Sequence, residues 1–111
     1  MKALVLTLLT LIVAGCGSGG QSGPLSVQQA LDGTSGEPHL VRGALIATGE
    51  TIRLCSAILE SYPPQCGGPF LVVEGLDLGS LEGLTTADGV TWSDRQVELR
   101  GTVAEGTLTI V

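Results

Sequence analysis

Three cysteines, Cys16, Cys55 and Cys66, and a single histidine, His39, carry most of the chemistry open to this 111-residue chain. A thiolate can attack, ligate metal or close a disulfide, and an imidazole can move protons near neutral pH. Spacing narrows the choice. Cys55 and Cys66 lie too far apart for a Cys-x-x-Cys redox pair. A zinc site takes about four ligands, and His39 is remote from both cysteines in sequence. His39 follows Pro38 without an evident acid or nucleophile beside it, which reads as a solvated strand start, not a general base. The serines lack a Gly-x-Ser-x-Gly elbow. No Gly-x-Gly-x-x-Gly leads from a strand into a helix. Asp88-Gly89 is turn chemistry, because calcium loops need more carboxylates at closer spacing. This reading assigns no catalytic residue, no metal and no cofactor.

The elements that must position these groups begin with the N-terminus. Lys2 supplies one positive charge, and Ala3 to Ala14 is uncharged and mostly Leu, Val, Ile and Ala. A membrane-spanning helix needs about 20 such residues, so this run is too short to span and suits the apolar region of a secretory signal. Val13-Ala14-Gly15-Cys16 then resembles a bacterial lipobox. That resemblance implies cleavage before Cys16 and a diacylglyceryl thioether on its sulfur. The plainer alternative is an ordinary secretory signal with a cysteine after the cut. Each buried acyl CH₂ contributes roughly 0.8 kcal/mol, so two or more chains hold where one does not. The expected organisation is a signal peptide over 1–15, a flexible Gly/Ser tether over 16–24 and one domain over 25–111. With Cys16 lipidated outside the cytoplasm, Cys55 and Cys66 remain and are expected to pair. Closing that short loop is worth up to ~3 kcal/mol on the chain-entropy model.

Past the signal, four arginines (Arg42, Arg53, Arg95 and Arg100) face all eleven acids, a balance of −7. Such a domain repels polyanions and has no basic block to reverse this. Tyr62, Phe70 and Trp92 are its aromatics, too few for the stacking platform that single strands require. No nucleic-acid partner is expected.

Hydrophobic periodicity outlines the domain. Ser26-Val27-Gln28-Gln29 reads as a capping box opening a helix of about two turns, which Gly33 ends in a left-handed conformation. From His39 the period is two, with Val41, Gly43, Leu45 and Ala47 on one face and Leu40, Arg42, Ala44 and Ile46 on the other, partly covered. Gly43 within this strand predicts a bend or a close backbone approach. Ile52 and Leu54 point inward from a second strand, Thr51 to Cys55. Ser56 to Gly68, with Pro63-Pro64 and Gly67-Gly68, predicts an irregular excursion, with Ala57 to Leu59 able to form a helical turn. Pro69 to Gly75 reads as a third strand. Asp77 caps a single helical or 3₁₀ turn, and Leu84 to Asp94 is mostly loop, with Val90 and Trp92 able to plug a core. Gln96 to Val103 and Thr107 to Val111 form a final hairpin. Arg42, Arg53 and Arg100 face outward, where pairing with Glu74 or Glu98 is expected.

Three strands, a helical connection and a two-strand hairpin predict a mainly β fold. The pieces Val41-Arg42-Gly43-Ala44-Leu45 and Val97-Glu98-Leu99-Arg100-Gly101-Thr102-Val103 resemble the first and fourth strands of oligonucleotide/oligosaccharide-binding (OB) domains. That resemblance implies a small five-stranded OB-like Greek-key barrel with a short N-terminal helix. A five-stranded meander with a docked helix is the alternative. The run Arg53 to Ala57, continued by Pro63-Pro64-Gln65-Cys66-Gly67-Gly68, together with the lipobox, resembles small uncharacterised lipoproteins of high-GC Gram-positive bacteria. This implies address and disulfide, and no activity.

The two loops that clamp ligands in OB domains are short here, Thr48-Gly49-Glu50 and Ala104-Glu105-Gly106, and each offers a glutamate and no aromatic. Length goes instead to the cysteine-bracketed excursion and to Leu84 to Asp94, the long loops where a rigid scaffold would display function. The expected interaction surface is Glu60, Ser61, Tyr62 and Gln65, with Trp92 as an additional candidate, although a lone tryptophan packs first and stacks on ligands second. The expected function is a non-catalytic, membrane-anchored binding or interaction module of the cell envelope. Its partner is an envelope protein or a neutral ligand. The alternatives are a structural envelope accessory and, less favoured, an OB-type nucleic-acid binder.

Overall fold

The computed structural model describes residues 23–33 and 36–111. The expected signal, the expected tether through residue 22 and Cys16 lie outside the described residues. Among the described residues, no helix is long and apolar enough to cross a membrane.

β1 (Leu25–Ser26) leads into α1 (Val27–Asp32). The capping box forms as the residue types require. The Gln29 amide donates to Ser26 Oγ at 3.0 Å, and the Ser26 amide donates to Gln29 Oε1 at 2.8 Å. Val27 and Ala30 bury the inner face. Gly33 ends the helix at φ 136°, ψ 129°, a positive-φ conformation open to glycine but outside the expected left-handed helical region.

β2 (His39–Thr48), β3 (Thr51–Leu59), β4 (Gln65–Glu74), β7 (Val97–Ala104) and β8 (Thr107–Ile110) close a ring in the order β2–β3–β4–β8–β7 and back to β2. All these pairings are antiparallel except β4 with β8, which is parallel. β8 lies between β4 and β7, so the order is not a meander. Leu45, Leu54, Leu71, Leu108, Val41 and Leu99 fill the ring, with α1 docked through Val27 and Ala30.

The described residues hold eight strands, not five, because β1 and a hairpin between β4 and β7 add three. β1 adds a parallel pair to the edge of β2, Leu25 against Val41. The stretch expected as loop forms a hairpin, β5 (Leu84–Ala87) and β6 (Val90–Ser93). Asp88 and Gly89 take φ 52° and 79° at its turn, the two-residue geometry that matches strand twist. β6 then pairs with the second half of β2, Trp92 against Ile46 and Val90 against Thr48. β2 is thus shared, its first half with β7 and its second with β6. Between the two, the Leu45 amide donates to Ser93 Oγ at 3.1 Å, so a side chain replaces the missing strand.

The excursion also corrects the expected third strand. β3 runs on to Leu59 and β4 starts at Gln65, not Pro69. Cys55 faces Phe70 and Ala57 faces Gly67, so Ser56 opposes two residues, Gly68 and Pro69. This is a bulge. Gly68 supplies its φ of 75°, and Pro69, which lacks an N–H, is tolerated there. Gly67 is not a breaker: a Cβ there would lie 3.0 Å from Leu59 Cδ2, so the glycine admits its neighbour's side chain.

Candidate functional site

Strand parity decides which side chains share the outer face of β2. Leu45 and Ala47 point into the ring, so Ala44, Ile46 and Thr48 point out. Register adds Arg53 and Cys55 from β3, Phe70 from β4, and Val90 and Trp92 from β6. Ala44 and Ile46 are nonetheless buried, Ile46 to 5 % exposure. The tip of the β3–β4 hairpin lies near this face: Pro63, Pro64 and Cys66 border one cleft with Ile46, and Pro64 borders another with Ala44 and Trp92. The partial cover expected for this strand face is therefore a segment of the same chain.

The Cys55–Cys66 disulfide ties the tip down, with Cα atoms 5.5 Å apart. Cys55 is fully buried. The loop is further ordered by Ser61, whose amide donates to the Leu59 carbonyl at 2.9 Å and whose hydroxyl donates to the Pro63 carbonyl at 2.8 Å. Tyr62 meets Trp92 edge to face, ring centroids 5.7 Å apart at 85°, a favoured aromatic geometry. Tyr62 remains 74 % exposed, while Trp92 is half-buried. Glu60, Ser61 and Gln65 are exposed. Of the five residues expected to form a surface, four lie in or beside the hairpin loop, and the ring contact joins Trp92 to them across 30 residues of chain. Trp92 is not a core plug, because its register with Ile46 puts it on the outer face.

The charged groups sort into two kinds. Arg42 donates to Glu98 Oε2 from Nη2 at 2.7 Å and from Nε at 3.2 Å, the pairing expected of Glu98. Both side chains are about half exposed, so the pair contributes less than about 1 kcal/mol. Arg53 has no ion pair among the described residues. Its guanidinium stands 4.9 Å from the centre of the Phe70 ring. Sequence reading missed this contact because the residues are 17 apart. The signal is diagonal register: Arg53 faces Val72 on β4, two residues from Phe70 on the same face. Beside Arg53 opens a cleft of about 440 Å³.

His39 is not the solvated residue expected: its Nε2 is buried without a hydrogen-bond partner. Strand parity places it with Val41 and Leu45, on the inward face. Among the described residues, no group of three or more His, Cys, Asp or Glu side chains converges to hold a metal ion. Comparison with protein-family models, with curated proteins and with solved structures finds no match for this chain.

Proposed function

We propose that this chain is a lipid-anchored, extracytoplasmic, non-catalytic binding module, in which an OB-like barrel displays a stapled hairpin to an envelope protein or a neutral ligand. The single observation that carries the reading is the tip itself. Tyr62 is three-quarters exposed, yet the disulfide and the Trp92 ring hold it in place. An aromatic ordered before contact loses little conformational freedom on binding, which favours affinity. The OB-like part is supported by the ring order and by the long connection from β4 to β7, after which a tight turn brings β8 back parallel beside β4. The clamp loops of that fold are reduced to two-residue turns, Gly49-Glu50 and Glu105-Gly106, with Thr48 paired to Thr51 and Ala104 to Thr107. Their acidic character and the net balance of −7 disfavour nucleic acid.

The anchor rests on the lipobox, and the pairing of the two remaining cysteines agrees with an oxidising compartment. Cys16→Ser is expected to leave the chain unprocessed or free of the membrane fraction, and globomycin to block its maturation. Unchanged processing and membrane attachment under both treatments would refute the anchor. For the binding part, envelope partners are captured with the chain and with Tyr62→Ala. A partner retained equally by both, or a footprint centred on Gly49-Glu50 and Glu105-Gly106, would refute the hairpin surface.

A further inference from the structure

We propose that the cleft between β3, the hairpin tip and the β5–β6 turn is a binding site for a small monocarboxylate with an apolar body. It borders the partner surface above and shares Gln65 with it, but the two are tested by different variants, Arg53→Gln here and Tyr62→Ala there, so either can fail without the other. Its volume of about 440 Å³ falls within the range of small-molecule sites. Its apolar lining is Ile46 and Val90 from the outer sheet face and Pro63 and Pro64 from the tip. These four give a hydrocarbon body apolar contact, while Thr48 and Gln65 add polar edges.

Arg53 supplies the polar anchor. It lines the cleft, and it has no carboxylate partner among the described residues. The cation–π contact with Phe70 restrains the guanidinium, and no carboxylate among the described residues takes up its N–H groups. A carboxylate matches that planar fork in two parallel hydrogen bonds. Asp88, on the β5–β6 turn, lines the same cleft. A second negative charge on the ligand would meet this carboxylate and the acidic field of the whole domain, so phosphates and dicarboxylates are disfavoured. One anionic head, one apolar body and no second acid define the ligand class.

The test follows backbone amide shifts of the purified, disulfide-bonded chain as sodium hexanoate is added, and hexanamide and glutarate in parallel. Hexanoate is expected to give saturable shifts centred on Thr48, Arg53, Gln65 and Val90, with a Kd on the order of millimolar for so small a ligand. Hexanamide is expected to bind about ten-fold more weakly, and Arg53→Gln to weaken hexanoate by about the same factor, with the rest of the spectrum unchanged. Glutarate is expected to bind more weakly than hexanoate, and Asp88→Asn to narrow that gap. The proposal is overturned by absent saturation, by equal response to hexanamide, by undiminished binding in Arg53→Gln, or by shifts centred on Arg95 or Arg100. Equal binding of glutarate overturns the restriction to monoanions.

Discussion

Gly101→Ala is expected to destabilise the domain by about 3 kcal/mol or more, the upper end of what overpacking does. Gly101 lies on β7 opposite Ile110 of β8. A Cβ there would run into the Thr109 carbonyl oxygen, lie 2.8 Å from the Thr109 carbonyl carbon and 3.1 Å from Ile110 Cα. All three atoms are backbone, so no rotamer change gives relief. β8 would have to move, and it is the strand that links β7 to β4 and closes the ring. A domain of this size holds roughly 5–13 kcal/mol in total. The loss therefore lowers the melting temperature by about 12–24 °C. Gly43→Ala is a milder case. Its Cβ would lie 2.9 Å from the Cys55 carbonyl oxygen but also 2.9 Å from Leu54 Cγ and 3.0 Å from Val27 Cγ2, and side-chain carbons can shift in part. Gly23→Ala, with open space around it, is the control and should change nothing. Urea titrations of the three variants check the order. A Gly101→Ala midpoint matching that of Gly23→Ala would refute the close-approach account.

Removing the disulfide is the second large effect. Cys55→Ala with Cys66→Ala frees a loop whose ends are 11 residues apart, worth about 3 kcal/mol on the chain-entropy model. The damage should be local before it is global. The ring interior, built on Leu45, Leu54, Leu71 and Leu108, does not include the hairpin tip. Released, the tip lifts from the outer face of β2, uncovers Ala44 and Ile46, and separates Tyr62 from Trp92. The sequence has a single tryptophan, so its emission reports this one contact. Reduction of the wild-type chain, or the double alanine variant, is expected to shift Trp92 emission to the red at urea concentrations where the ring is still folded. Intact mass should rise by two hydrogens on reduction. Identical emission and identical urea midpoints with and without reductant would show that the bond restrains nothing. The same reduction should also weaken hexanoate binding, because Pro63 and Pro64 border that cleft.

The sequence by itself determined the features governed by neighbours a few residues away. The Ser26–Gln29 capping box, the Asp77 cap, whose Oδ1 accepts from the Gly79 amide at 3.0 Å, and the inward alternation of Val97, Leu99, Gly101 and Val103 are local matters of hydrogen-bond reach and strand period. The pairing of Cys55 with Cys66 followed from count and compartment. Gly43 marked a bend or close approach because only a missing side chain lets a neighbouring strand come so near; the still tighter approach of β8 at Gly101 was shown by the structure.

Other features were latent in the sequence but were outweighed. Asp88-Gly89 is a strong two-residue turn signal, yet the arms Leu84–Ala87 and Val90–Ser93 are half threonine and serine, too polar to read as strands alone. They hold because β6 finds β2, which offers Ile46 and Ala47 as partners. Pro63-Pro64 and Gly67-Gly68 pointed to an irregular excursion with a helical turn at Ala57 to Leu59, whereas these residues extend β3 and a single bulge on β4 opposite Ser56 accommodates the extra residue. Only the tertiary structure decided that β8 lies between β4 and β7, that β2 divides its edges among four strands, and that the hairpin tip covers the outer face of β2. It alone set Tyr62 against Trp92 and Arg53 over Phe70. The physical reason is that periodicity reports which way a side chain points, whereas the identity of the neighbour depends on long-range closure of the ring, whose cost and gain are shared by the whole chain.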